Sequence, residues 1–348
     1  MLLAFELSGE HETLPAGEVL ACMRSLGIEH TVVKSEAQCL ILKITDETPV
    51  ISAIPALPSL LSARLAMTHH IIAVINECDL SESSILKSVS DAEITIPRGE
   101  TFSVRARKMQ KSALSTERVE RLIGGVIFER NRVNGVRVNL TSPDHGFRAI
   151  LTDDSCIFGE VLASADRGGF EERKPHKKPF FYPGAISPKV ARAIVNLCEI
   201  RTGNRVLDPF CGTGGILVEA GMIGASVIGI DVQESMVRGA RMNLKDHGFE
   251  YQLICGDSCN LPLRDQSIDV VVTDPPYGRS AVVMAESIVS LYRDALLEMY
   301  RVVVEGGHAV MVSDFELPWV DEVGFTTIEL HTQRVHRSLT RHIVVLEK

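Results

Sequence analysis

Four short apolar runs in the carboxyl-terminal half of this chain each stop at, or just before, an aspartate. They cover 204–208, 225–231, 251–255 and 268–273, and the acids are Asp208, Asp231, Asp257 and Asp274. Such runs, bounded by turn residues, read as buried strands. Between the first two lie a glycine-rich turn and a helix that starts at Ile216. Strand, glycine turn, helix is the opening unit of a doubly wound sheet, whose ligands bind beyond the carboxyl ends of the strands. This pattern predicts four carboxylates at one edge of one sheet.

The turn spans 208–215, and Gly212, Gly214 and Gly215 are expected to supply positive φ and space for a cofactor to approach the backbone. Its spacing departs from the GxGxxG dinucleotide fingerprint, and no Lys-Ser or Lys-Thr follows as in a phosphate-binding P-loop. Asp231 lies about 20 residues beyond the turn, where a carboxylate meets ribose hydroxyls in such folds. Asp231 also reads as a helix N-cap and Asp257 as a turn residue. The stretch Asp274, Pro275, Pro276, Tyr277, Gly278 then follows a strand directly. Consecutive prolines can neither extend a ladder nor enter a helix interior, so they stiffen the segment past the strand end. An acceptor, a rigid backbone and an aromatic face suit the grip of a planar group by its exocyclic amine.

At 348 residues the chain exceeds one hydrophobic core, so more than one domain is expected. No stretch approaches the roughly 20 apolar residues of a membrane span, and no leader peptide is evident at the amino terminus. The eight cysteines never fall in a CxxC spacing, which argues against a zinc site and for reduced thiols in the cytoplasm. The net charge of −9 is unevenly spread. Residues 1–60 are acidic, Asp46 and Glu47 included, whereas 98–137 are rich in Arg and Lys, from Arg98 through Arg105, Arg107, Lys111, Arg118 and Arg121 to Arg137. A second basic run covers 173–178. Local basic patches steer phosphate backbones whatever the net charge; helical arginines near Glu117, Glu120 and Glu129 also read as a balanced, solvated face.

The amino-terminal half reads as α+β. Strands are expected at 2–7, 39–43, 70–75, 101–107, 137–140 and 147–151, and helices at 15–26, 57–67 and 115–130. The period of the 101–107 strand puts Arg105 and Arg107 on one face. Ser187 and Pro188 read as an N-cap and first turn, starting an amphipathic helix to Cys198.

The turn at 208–215, the acids Asp231 and Asp257, and the Asp274–Tyr277 motif together resemble, in order, the class I S-adenosylmethionine-dependent methyltransferases that act on amines. The resemblance implies a Rossmann-like, seven-stranded, mostly parallel sheet with an antiparallel last strand. The three later strands are then 308–313, 325–330 and 342–347. It also implies cofactor contacts at Asp208, Phe210, Gly212, Gly214, Asp231, Asp257 and Asp274, and catalysis at Asp274, Pro275, Pro276 and Tyr277. The segments 102–105, 124–125, 138–140 and 143–144 resemble a THUMP domain, an RNA-binding module of tRNA-modifying enzymes. The expected organisation is a ferredoxin-like domain at 1–55, THUMP at 56–162, a linker at 163–182 and the methyltransferase domain at 183–348. The linker ends in a segment, 178–183, that resembles the aromatic lead-in covering the cofactor in this family; Phe180 and Phe181 also read as ordinary packing.

The combination resembles the archaeal methyltransferases of tRNA guanosine-10 N2. It implies transfer from S-adenosylmethionine to that amine, giving N2-methylguanosine and, on a second turnover, the dimethylated base. In such a site Asp274 and the Pro275 carbonyl would accept from the amine and localise its lone pair, while Tyr277 would stack on an extruded base. No metal is required. Arg105 and Arg107 on the THUMP-like strand are expected to meet RNA. The connection between the last two strands would lie on the active-site face, with Arg334, His336, Arg337 and Arg341 on phosphates. Related enzymes often use a small zinc-binding activator, for which the edge near 251–255 is a candidate surface. Two other readings stay open: methylation of another RNA guanine, DNA adenine or protein glutamine, and a non-catalytic RNA-binding factor.

Overall fold

In the computed structural model the elements run in chain order β1 (Leu2–Leu7), α1 (Leu14–Ser25), β2 (His30–Glu36), β3 (Cys39–Ile44), α2 (Leu57–Arg64), β4 (Thr68–Asp79), α3 (Glu82–Asp91), β5 (Thr101–Lys108), α4 (Thr116–Asn131), β6 (Arg137–Val138), β7 (His145–Leu151), β8 (Ser155–Ser164), α5 (Arg167–Glu172) and α6 (Pro188–Leu197). They continue with β9 (Arg205–Asp208), α7 (Gly215–Met222), β10 (Ser226–Asp231), α8 (Glu234–Leu244), β11 (Tyr251–Cys255), β12 (Ile268–Thr273), α9 (Ile288–Val302), β13 (Val303–Ser313), α10 (Val320–Val323), β14 (Thr326–His336) and β15 (Leu339–Glu347). The structure describes residues 1–36, 38–45, 56–109, 114–277, 287–337 and 339–348, apart from the side chains of Arg167 and His336. Gly278, Lys111, Asp46, Glu47, the His336 side chain and the expected boundary at 55 therefore lie outside the described residues. Among the described residues no helix is long and apolar enough to cross a membrane.

Two compact units divide the chain. The first comprises 1–12, 28–63 and 68–165; the second comprises 13–27, 64–67 and 166–348. The first is an eight-stranded sheet ordered β2-β3-β1-β4-β8-β7-β5-β6. The strands expected for the 1–55 and 56–162 segments thus share one sheet, joined where β1 pairs antiparallel with β4. One face buries Phe102, Val104, Phe147 and Phe158 against Ile85 and Val89 of α3 and Val119, Ile123 and Ile127 of α4. The serines Ser81 and Ser115 cap the two helices by accepting from the backbone N–H three residues on.

The second unit is a seven-stranded sheet ordered β11-β10-β9-β12-β13-β15-β14, in which β15 runs antiparallel to both its neighbours. Alternation along each strand sends successive side chains to opposite faces. Val206, Val227, Val270, Val272, Val310 and Val345 meet α6 and α7, while Leu207, Ile230, Val271, Met311 and Leu346 meet Tyr292, Leu296 and Met299 of α9. The helix α1, expected with the amino-terminal strands, belongs to this unit and packs Leu14 and Ala21 into the α6–α7 core. The helix expected at 57–67 ends at Arg64, because the Ala66 and Met67 amides donate to the buried Glu18 carboxylate, both at 2.9 Å.

The expected linker is partly helical. Within it Arg173 Nε donates to the buried Glu219 at 2.7 Å, and Lys174 and Lys177 pair with Glu171 and Glu172. Most of the basic run at 173–178 is thus neutralised within the unit. The Phe180 ring lies so close to α8 that a Cβ on Gly239 would stand 2.1 Å from it. Phe180 is therefore a packing residue, whereas Phe181 is exposed.

Candidate active site

The carboxyl ends of β9, β10, β11 and β12 open onto one cavity of about 1220 Å³. It is lined by all four aspartates, the 208–213 turn, the 182–187 lead-in, the Pro-Pro-Tyr segment and the β14–β15 hairpin. The predicted carboxylate edge is present, but its members are differently employed.

Asp208 is buried, and its Oδ1 accepts from the Thr273 hydroxyl at 2.7 Å and the Phe210 amide at 3.1 Å. Burial, with Asp274 and Asp231 adding to it, pushes its carboxyl up to about 7. The expected cofactor ligand is thus a brace, tying the turn after β9 to the end of β12. Asp231 accepts from the Gly212 amide through Oδ2 and from the Gln233 amide through Oδ1, each at 2.9 Å. Burial raises it above the ordinary carboxylate range. Each oxygen keeps a further acceptor position. Asp257 accepts from the Cys259 amide at 2.9 Å and also faces the cavity.

Gly212 and Gly214 have positive φ, +48° and +77°. A Cβ on Gly214 would stand 2.4 Å from Leu244, so that position needs glycine for both conformation and space. Gly215 differs from the expectation: it is the first residue of α7 and has no positive φ. Asn243 of α8 donates to the Thr213 and Phe180 carbonyls and accepts from the Phe180 amide, all at 2.9 Å. One side chain thus fastens the lead-in to the glycine turn. With carboxylate acceptors at two strand ends and two left-handed glycines in the turn, these residues fit a nucleoside cofactor.

Asp274 stands one residue beyond β12, 14% exposed at the side chain. The Tyr277 hydroxyl donates to its Oδ1. Arg341 Nε donates to the Tyr277 oxygen at 3.1 Å, and Arg341 Nη2 stops 3.9 Å from Asp274 Oδ2. Burial raises Asp274 above the usual carboxylate range, against the opposing pull of Arg341 and the tyrosine hydrogen bond. The phenol of Tyr277 is pushed up by burial and by Asp274, so it serves as a donor. The Pro275 and Pro276 carbonyls lie 3.4 and 3.5 Å from the hydroxyl of Tyr292, a fully buried residue of α9. Tyr292 holds the motif from beneath, and its ring contacts Phe315 at a centroid distance of 4.9 Å.

Several arginines expected on RNA sit elsewhere. The segment 331–341 is a hairpin rather than a loop: β14 continues to His336 and Gln333 faces Arg341 in register. Arg341 is 12% exposed and points at Asp274, so it is a site residue and not a phosphate contact. Arg334 and Arg337 are exposed, and Arg334 lines the cavity mouth. In the first unit Arg107 is committed to the buried Glu6 at 2.7 Å and to Gln38 at 2.9 Å. Arg105 remains 45% exposed, 4.0 Å from Glu120. Arg118 forms a paired contact with Glu82, whereas Arg98, Arg121 and Arg137 have no ion pair among the described residues. Sequence reasoning missed Thr273, Tyr292, Asn243 and Gln333. Only Thr273, adjoining Asp274, carried a signal.

Residues 175–342 match the RMKL-like methyltransferase domain family, and 86–159 match the THUMP domain. The chain is 37% identical to the tRNA (guanine(10)-N2)-dimethyltransferase of Methanothermobacter thermautotrophicus, over 98% of both chains. It is 31% identical to the enzyme of the same name from Methanocaldococcus jannaschii, over 100% of both. The crystal structure of TrmN from Thermus thermophilus superposes with a TM-score of 0.59 at 21% identity, over 100% of both chains.

Proposed function

The chain belongs to the tRNA (guanine(10)-N2)-dimethyltransferase family, and on that premise we propose that it methylates the exocyclic N2 amine of guanosine-10 in tRNA, once and then again, using S-adenosylmethionine. The observation that carries the reading is Asp274: a largely buried carboxylate beside a proline carbonyl, facing a cavity with the acceptors Asp231 and Asp257. S-adenosylmethionine supplies an electrophilic methyl group on a sulfonium. Asp231 and Asp257 would accept from its ribose and amino groups, and the turn around Gly212 and Gly214 would let its carbon skeleton approach the backbone.

Guanine N2 is a weak nucleophile because its lone pair is delocalised into the ring. Asp274 and the Pro275 carbonyl each accept one N–H, which favours a pyramidal nitrogen and a localised lone pair. Asp274 also stabilises the positive charge that grows on nitrogen as the C–N bond forms and the S–C bond breaks. Its raised affinity for protons suits it to take the one that the amine then loses. After the first transfer one N–H remains, which one of these two acceptors holds for the second. Exchange of the Tyr277 hydroxyl for the amine frees that ring to stack on the base.

The RNA-gripping module lies within 56–162, the segment 163–182 connects it, and catalysis resides in 183–348. Arg98, Arg105, Arg121 and Arg137 supply phosphate contacts, joined by Arg334 and Arg337 at the hairpin. The outer edge of β11 is where a small zinc-binding activator would dock. The test is nucleoside mass spectrometry of unmodified tRNA incubated with protein and S-adenosylmethionine, with and without such an activator. N2-methylated guanosine at position 10, lost in Asp274→Ala, supports the reading. Methylation of DNA or protein instead, or full activity in Asp274→Ala, contradicts it.

A further inference from the structure

The β14–β15 hairpin brings two polar side chains to the cavity that the chemistry above does not use. Gln333 and Arg341 face each other in register, and both line the cavity that holds Asp274. Arg341 spends Nε on the Tyr277 hydroxyl at 3.1 Å. Its Nη2 lies 3.9 Å from Asp274, outside hydrogen-bond reach. The guanidinium therefore keeps N–H donors that no hydrogen bond to a described residue engages. Gln333 Oε1 is buried and has no hydrogen-bond partner among the described residues. A buried acceptor without a partner is unfavourable until a ligand satisfies it. A donor beside Asp274 and an acceptor in register with it on the paired strand, both unspent, thus line one cavity.

Guanine presents on its Watson–Crick edge an acceptor at O6 and donors at N1–H and at the 2-amine. Adenine presents a donor at N6 and an acceptor at N1. Resting on the methylation reading above, we propose that Arg341 and Gln333 select guanine: Arg341 donates to O6 and Gln333 accepts from N1–H while Asp274 holds the 2-amine. An adenine in the same place would set its N1 lone pair against Gln333 and its N6 donor against the guanidinium. Each mismatch leaves a buried group unpaired, which is how polar sites reject close analogues. Arg341 is 12% exposed and sits in register with Gln333 on the paired strands of the hairpin, so little side-chain freedom is lost when the base enters.

The test uses tRNA with 2-aminopurine in place of the target guanosine. That base keeps the 2-amine but lacks both O6 and N1–H. Single-turnover transfer is measured at a pH alkaline enough that Asp274 is ionised, with saturating cofactor. The intact protein should prefer guanosine by about 100-fold or more. R341Q, R341K and Q333M should each slow transfer to guanosine about tenfold or more and leave 2-aminopurine within about threefold, so the preference collapses. Cofactor binding by calorimetry, unchanged in the variants, shows that they fold. Equal slowing on both bases would make Arg341 a support for Asp274 alone and would overturn the proposal, as would equal rates of the intact protein on the two bases. No transfer to guanosine by the intact protein would instead bring down the methylation reading, and this proposal with it.

Discussion

Each unit of the chain contains an aspartate or glutamate facing arginine, and the two arrangements are opposites. Glu6, in the sheet of the first unit, is 1% exposed and accepts from Arg107 Nη1 at 2.7 Å and from Arg148 Nε and Nη2 at 2.6 and 2.8 Å. Three of its four acceptor positions are filled by the two guanidinium groups. Asp274, at the end of β12, has one tyrosine donor and a guanidinium held off at 3.9 Å. Burial pushes both carboxyls up; at Glu6 the two arginines outweigh it and the group falls below its ordinary value, whereas at Asp274 burial wins. A buried carboxylate clasped by two arginines is architecture. An unsaturated buried carboxylate has room for a substrate amine and a reason to take a proton.

Substitutions at these two carboxylates should have unequal effects. Asp274→Ala should lower single-turnover methyl transfer about 10³-fold, since a preorganised acceptor is lost, with cofactor affinity little changed by calorimetry. Glu6→Gln should leave the rate constant of the surviving folded protein nearly intact but cost about 3 kcal/mol in urea unfolding, because two guanidinium groups lose their common partner. The pH dependence follows in sign. The Glu6 pKa is lower when folded, so its stabilisation is full above the unfolded value and fades as pH falls through the folded one. Glu6→Gln should therefore be least different from the parent in acid. Equal losses at all pH values would show that the pair is not the source.

At the glycine turn Asp231 stands between the two: one amide bonds each of its oxygens, and each keeps a further acceptor position. Gly214→Ala must place a side chain at φ +77° and against Leu244. The left-handed backbone alone costs about 1–2 kcal/mol. Cofactor affinity should fall about tenfold, and unchanged binding would mean that the turn does not shape the site. The smallest effect is expected for Arg105→Ala, whose side chain is 45% exposed. It should weaken tRNA binding two- to threefold and reduce the slope of log affinity against log salt by about 1. Arg107→Ala should instead appear chiefly as lost stability.

The catalytic half was readable because its signals are local. Apolar runs at 205–208, 226–231, 251–255 and 268–273 became strands, and the acids after them reached one cavity. What stayed hidden was pairing across sequence distance. Strand periodicity put Arg105 and Arg107 on one face, but nothing marked Glu6, 101 residues away, as the partner of Arg107. The strand β2 is half-exposed to exposed throughout and offers no buried alternation. In β8 the apolar run is interrupted by Gly159. Its missing Cβ admits the Ala73 carbonyl of β4, 2.1 Å from where a Cβ would stand. The connection between the last two strands read as a loop with its arginines on phosphates; pairing of β14 with β15 turns Arg341 inward, toward Asp274, instead.

Asp274 is proposed above as an unsaturated, proton-accepting carboxylate. Its direct test is the pH dependence of single-turnover methyl transfer by the parent and by Asp274→Asn, at saturating tRNA and cofactor. The parent rate should rise with pH along an acidic limb lying above the ordinary aspartate value of about 4, because burial raises Asp274 and the acceptor works when ionised. R341Q should move that limb higher still, since the cation that lowers it is gone. In Asp274→Asn the limb should vanish and leave a slow, flat profile. The same limb in Asp274→Asn would contradict the account.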